Sequence, residues 1–131
     1  MLTYRDTADF TQAKGQELTE ALLAQGIAFD VVFAENDNMA YGAIDALRNA
    51  GLRPGEDVLV LSVDANRKAL EMVMAGEINY DVECNPLHGP RVQALIMQLE
   101  SGRTPPKLTF VEESAFDART ITQEVIDGRG Y

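Results

Sequence analysis

The sequence predicts an α/β fold built on a doubly wound parallel sheet, and three observations carry that expectation. Residues 29–34 and 58–63 are short apolar runs interrupted only by Asp30 and Ser62, the habit of strands buried on both faces of a parallel sheet. Between them Ala40, Ala43, Ile44, Leu47 and Ala50 recur at helical spacing, with Asp45, Arg48 and Asn49 on the wet side. Apolar runs and helical segments then alternate along the chain in the order (β)αβαβαβ–αβ, followed by a tail.

Taken in order, residues 2–4 are a short apolar piece that could close a strand. Asp6, Thr7 and Asp9 supply cap chemistry for a helix over residues 10–25, in which Leu18, Ala21 and Leu22 share a face and Gly26 is the stop. In the central βαβ unit Asn36, Asp37 and Asn38 can cap the helix, and Gly51 sits where a helix ends in the left-handed conformation. Pro54-Gly55-Glu56-Asp57 turns the chain into the second strand.

Residues 66–75 predict a third helix with Ala69, Leu70, Val73 and Met74 inward, ended by Gly76. Ile78, Tyr80 and Val82 then alternate with Asn79, Asp81 and Glu83, which predicts a strand with one wet face, at a sheet edge. Pro86 and Pro90 break the pattern around His88, a loop histidine with no metal partner in sight. Residues 92–100 are helical, with Val92, Leu95, Ile96 and Leu99 on one side, and residues 108–111 are a further apolar run. Residues 112–131 form a polar tail in which 122–126 have the pattern of one helical turn or two.

Composition narrows the function. A chain of 131 residues suffices for one domain with a sizeable core. Its net charge of −10, from 21 acidic against 11 basic side chains, repels phosphates, so no nucleic-acid partner is expected. The single cysteine, Cys84, cannot form an internal disulfide. No stretch approaches the ~20 apolar residues of a membrane span, and the first ten residues lack the pattern of a signal peptide. There is no P-loop, no Gly-rich dinucleotide turn and no Ser-His-Asp set. Asp64 at a strand end suggests a phospho-acceptor, but the acid cluster and the later lysine that such a site needs are missing. The expectation is no enzyme, no cofactor and no metal.

The polar residues of the βαβ unit suggest a site. Asn36 and Asp37 follow the carboxyl end of the first strand and Asp64 that of the second, and open α/β sheets bind ligands in the crevice outside those ends. An amide offers donors and an acceptor, and a carboxylate accepts, which together suit vicinal hydroxyls. From spacing alone, side-chain capping is the favoured reading of the same residues, because such caps are common at this position.

FAENDNMAYGAIDALRNAG followed by LVLSVDA resembles the second half of the periplasmic sugar-binding proteins of ABC importers, the ribose, galactose and galactofuranose binders. ADFTQAKGQ, residues 8–16, resembles the segment opening the preceding helix, and Glu83-Cys84-Asn85-Pro86 falls at the crossover between lobes. The resemblance implies a truncated Rossmann-like lobe of a type I periplasmic binding protein. Residues 1–85 would be a partial carboxy-terminal sugar-binding lobe, 86–112 a helix and strand of the other lobe, and 113–131 a tail. It implies that Asn36 and Asp64 hydrogen-bond ring hydroxyls and that Phe10 stacks on the sugar, as apolar CH faces pack on an aromatic ring.

The implied function is the solute-binding component of an ABC sugar importer in the periplasm. Its partners would be a galactofuranose-, galactose- or ribose-type monosaccharide and the permease subunits. The alternative is the effector-binding core of a LacI-type repressor. Val63 before the aspartate and Cys84 beside Glu83 depart from the pentose-binding pattern and lean towards the galactofuranose type. The chain reads as about half a binding protein, with Met1 an internal methionine or an artificial start. The resembling lobe has its first strand in mid-sheet, and this chain lacks it. A gap there predicts either a homo-oligomer through the truncated surface or residues 90–111 folding back onto the lobe.

Overall fold

The computed structural model describes residues 2–131. Its elements run α1 (Gln12–Ala24), β1 (Val31–Phe33), α2 (Asp37–Asn49), β2 (Leu59–Asp64), α3 (Arg67–Ala75), β3 (Tyr80–Glu83), α4 (Gly89–Glu100), β4 (Ala115–Phe116) and α5 (Gln123–Gly128). One sheet has the order β1-β2-β3-β4, parallel through the first three strands and antiparallel at the last. The α/β class and the parallel sheet are as the sequence predicts.

Local chemistry explains where the elements begin and end. Thr11, Asn36, Asn66 and Thr122 cap α1, α2, α3 and α5 through side-chain oxygens that accept a backbone N–H. The cap of α1 is therefore Thr11 and not the Asp6–Asp9 cluster. Gly76 ends α3 in the left-handed conformation, with its N–H returned to the last turn. The core lies between β2, β3 and helices α2, α3 and α5. Ile44, Leu47, Val60, Leu70, Val73, Ile78 and Ile126 are its largest apolar members without exposure.

Helix α1 packs on α2 through glycines, not through the Leu18-Ala21-Leu22 face. Gly15 and Thr19 are the buried residues of α1, and a Cβ on Gly15 would stand 2.6 Å from the Met39 carbonyl oxygen. Gly42 makes the reciprocal approach, with a Cβ there falling 2.0 Å from the carbonyl oxygen of Gln12. Backbones can approach that closely only where neither residue has a side chain.

Several expectations are corrected. The strands are covered on one face only: Val31, Phe33, Leu59, Tyr80 and Val82 are 47%, 61%, 43%, 44% and 40% exposed. The alternation of β3 is consequently the reverse of its apolarity, with Asp81 and Glu83 buried and Tyr80 and Val82 outside. Nor does β3 lie at an edge; it pairs β2 on one side and β4 on the other. Met74 and Ala50 are exposed. Residues 2–4 and 108–111 form no strand, because no neighbouring strand offers them a ladder.

Residues 115–131 are not a loose tail. Strand β4 pairs with β3, α5 packs on α3, and the Arg67 N–H donates to the carbonyl of Tyr131 at 2.7 Å. Helix α4 has no buried residue, so residues 90–111 do not fold back onto the lobe.

Candidate functional site

Asn36 and Asp64 lie at the carboxyl ends of the neighbouring strands β1 and β2, and Phe10, in the turn before α1, is joined to Asn36 through its carbonyl. Asn36 follows β1 and opens α2. Its Oδ1 accepts the Met39 N–H at 2.9 Å, and its Nδ2 donates to the carbonyl of Phe10 at 3.3 Å. The two readings of Asn36 are therefore compatible, because the cap occupies the acceptor and leaves the amide hydrogens for other partners. Phe10 is 65% exposed, an unusual state for a phenylalanine that precedes a helix.

Asp64 ends β2. The backbone N–H of Asp37 points at its carboxyl group, which links it to the residue after Asn36. Burial raises its pKa above the ordinary carboxylate value, and that N–H works against the rise. Asp64 is thus an acceptor already oriented by α2, half-buried beside the open end of the sheet.

Backbone conformation marks the same place. Asp9, Phe10, Asp64 and Ala65 are the non-glycine residues with positive φ among the described residues, at 50°, 57°, 118° and 55°. L-residues avoid this region, and such strain, of order 1–3 kcal/mol each, clusters where a loop must present a group for use. Nothing in the residue types announces it, since neither Asp9-Phe10 nor Asp64-Ala65 carries the glycine or asparagine usual in a left-handed turn.

Beneath these residues lies a polar layer whose role the sequence reading missed. Asp37, read there as a cap, has no exposure. It accepts the Ser62 hydroxyl at 2.7 Å and the Asn66 N–H at 2.9 Å. Tyr41 donates to Asn66 Oδ1 at 2.7 Å, and burial raises its pKa well above the ordinary tyrosine value. Ser62 and Asp37 together tie the first turn of α2 to β2, and so fix Asn36 relative to Asp64.

A cavity of about 1010 Å³ lies elsewhere. It separates residues 2–10 from the free edge of β1, and it is lined by Phe10 but by neither Asn36 nor Asp64. The expectation that all three face one depression is not met by this cavity, which Phe10 alone of the three lines. We regard the cavity as an unfilled strand position and not as the ligand site. It runs along the unpaired edge of β1, and although Tyr4, Asp6, Asp9 and Asp30 reach it, the strand-end pair Asn36 and Asp64 does not. Among the described residues no group of three metal-ligating side chains occurs.

Comparison with known proteins gives the family. Residues 2–88 match the family model described as a periplasmic binding protein domain. A galactofuranose-binding protein of Escherichia coli is 36% identical over 123 residues, covering 91% of this chain and 39% of the relative. The crystal structure of a galactofuranose binding protein superposes with a TM-score of 0.88 at 33% identity, covering 98% of this chain and 45% of that one. A transcriptional regulator of Escherichia coli matches less well, 33% identical over 101 residues, which is 77% of this chain and 30% of the regulator. The chain thus spans less than half the length of the relatives it matches.

Proposed function

Because the chain belongs to the periplasmic binding protein family, we propose that it supplies a sugar-contacting lobe of the solute-binding component of an ABC importer. The ligand is a monosaccharide of the galactofuranose type, held between two lobes in the periplasm and handed to permease subunits. No bond is made or broken. The sugar exchanges its water hydrogen bonds for fixed polar partners, and lobe closure follows from the better contacts of the closed state. Asn36 donates from the amide hydrogen that Phe10 leaves free, Asp64 accepts from ring hydroxyls, and the exposed ring of Phe10 covers an apolar sugar face.

One observation carries this reading. Asn36 and Asp64 stand at adjacent strand ends with Phe10 bonded beside Asn36, and Phe10 and Asp64 are both in positive-φ backbone. The galactofuranose class is favoured by the names of the two relatives and by Cys84 with Glu83 at the crossover. The effector core of a LacI-type repressor, the alternative, draws on the weaker match to the regulator.

Calorimetry and amide chemical shifts of this chain with galactose, ribose and arabinose test the proposal. A cleft buries roughly 70–90% of a small ligand, and one lobe supplies only part of that contact. We expect binding no tighter than about millimolar, near −4 kcal/mol, with shifts concentrated at residues 9–10, 36–37 and 64–65. Micromolar affinity would contradict the two-lobe reading. Saturating shifts that avoid those residues would contradict the site.

A further inference from the structure

Two carboxyl groups sit inside the core one layer below Asn36 and Asp64. Asp37, in the first turn of α2, and Asp81, in the middle of β3, each have no exposure. Ser62 joins them: its hydroxyl donates to Asp37, and it is the register partner of Asp81 across β2 and β3. The two carboxyl groups are neighbours, each acting on the titration of the other. Asp37 is satisfied by Ser62 and Asn66, whereas neither oxygen of Asp81 has a partner of good hydrogen-bond geometry among the described residues if both acids are ionised, the Ala65 N–H only approaching its carboxyl group. An ionised carboxylate in that state is prohibitively costly, and two adjacent ones more so.

A single proton resolves the arrangement. We propose that Asp81 is a carboxylic acid in the folded protein and donates its proton to the carboxylate of Asp37. This acid–carboxylate pair seats the first turn of α2 on β2 and β3 and so positions Asn36 and Asp64. The inference does not depend on which ligand, if any, those two residues hold.

The surroundings supply no competing charge. From α2, Tyr41 faces the pair as a neutral phenol bonded to Asn66, and from β2 only Asp64 approaches, another acid. The nearest cations are engaged elsewhere, Lys68 over the Tyr41 ring at 3.8 Å and Arg129 on Glu83. From β4 and α5 the contributions are the apolar Phe116 and Ile126. Burial, then the charge of Asp37, pushes Asp81 up to about 8, and burial raises Asp37 as well.

The sign follows from linkage. The folded state holds a proton that the unfolded chain has released above the ordinary carboxylate range. Stability from the pair is therefore full in acid and is lost as pH rises through the folded value. Unfolding of the 131-residue chain, followed by circular dichroism between about pH 6 and pH 10, should show a midpoint that falls by on the order of 5 °C up to about pH 8, the folded value, and then levels. Asp81→Asn keeps a donor to Asp37 without a titrating proton, so its midpoint should stay level across that window. A level wild-type midpoint, or an Asp81→Asn protein that declines in parallel with wild type, overturns the proposal.

Infrared spectroscopy of the wild-type chain gives a readout that needs no folded variant. A protonated-carboxyl stretch should be present at neutral pH and vanish in alkaline solution before the chain unfolds. Its absence at neutral pH also overturns the proposal.

Discussion

At Gly42 two effects of one methyl group oppose each other, and their magnitudes decide the outcome. Alanine is better than glycine in a helix interior by about 0.8–1.0 kcal/mol, so an open helical glycine gains from the change. Gly42 is not open, since the new Cβ would meet backbone, the Gln12 carbonyl oxygen at 2.0 Å and the Gln16 nitrogen at 2.6 Å. Backbone cannot swing aside as a flexible side chain does, so α1 must lift from α2, and overpacking of that kind costs about 1–3 kcal/mol. Gly42→Ala should therefore show a net loss in urea unfolding, while Gly89→Ala, where nothing lies within 4 Å, should show none. Equal or greater stability of Gly42→Ala would mean the helices are not held at this distance. This contact was not legible in the sequence, where Gly15 and Gly42 are isolated glycines inside helical patterns and the leucines looked like the packing face. Asn36 and Asp64 were legible, because strand ends announce themselves by where an apolar run stops. Asp37 was only half so: its place in the first turn could be read, but its descent into the core depends on Ser62 and Asp81, distant in sequence.

At the scale of elements the last seventeen residues matter most, for they close the sheet. Glu83 at the end of β3 receives Arg129 at 2.5 Å, Tyr131 at 2.8 Å, and the Ser114 N–H at 3.0 Å. The side chains of Glu83 and Arg129 are only 10% and 8% exposed, so this is a buried ion pair. Burial pushes the Glu83 carboxyl up, but the bonds from Arg129, Tyr131 and Ser114 outweigh it and hold the group below its ordinary value. Tyr131 moves the other way, pushed up to about 12 by burial and by its bond to Glu83. Removing one partner of a buried pair strands the other, at about 3–5 kcal/mol. Arg129→Met should lose that much at neutral pH, measured by chemical unfolding, and adding Glu83→Gln should recover part of it. The sign in acid also follows. A depressed carboxyl contributes stability above its unfolded value and loses it as pH falls through the folded one, so the deficit of Arg129→Met should shrink in acid. A deficit independent of pH would place the damage in packing and not in the pair. Periodicity could not reveal this latch. Residues 112–131 are too polar to read as part of a core, and only pairing with Glu83 makes an inward-facing charged strand tolerable.

For the whole molecule, element order and class were legible because each strand and helix carries its own signal, whereas cover is a property of what packs on what. The strands have the apolarity of two-sided ones, yet these 131 residues cover a single face. Phe33 and Val31 stand exposed on the strand whose outer edge is also unpaired, beside the cavity against residues 2–10. An apolar face adjoining a free strand edge is the usual template for association. Residues 90–111 do not cover it, as α4 contributes no buried residue. The remaining occupant available to the isolated chain is a second copy, paired along β1. Opposing this is the net charge of −10, which repels like chains and is screened at higher ionic strength. Sedimentation velocity should therefore show self-association that grows with both protein concentration and salt. Phe33→Lys, which places a charge on the bare face without touching the core, should shift the chain towards monomer. A wild-type chain that stays monomeric throughout the series at high salt would show that the bare face and the open edge are tolerated in water.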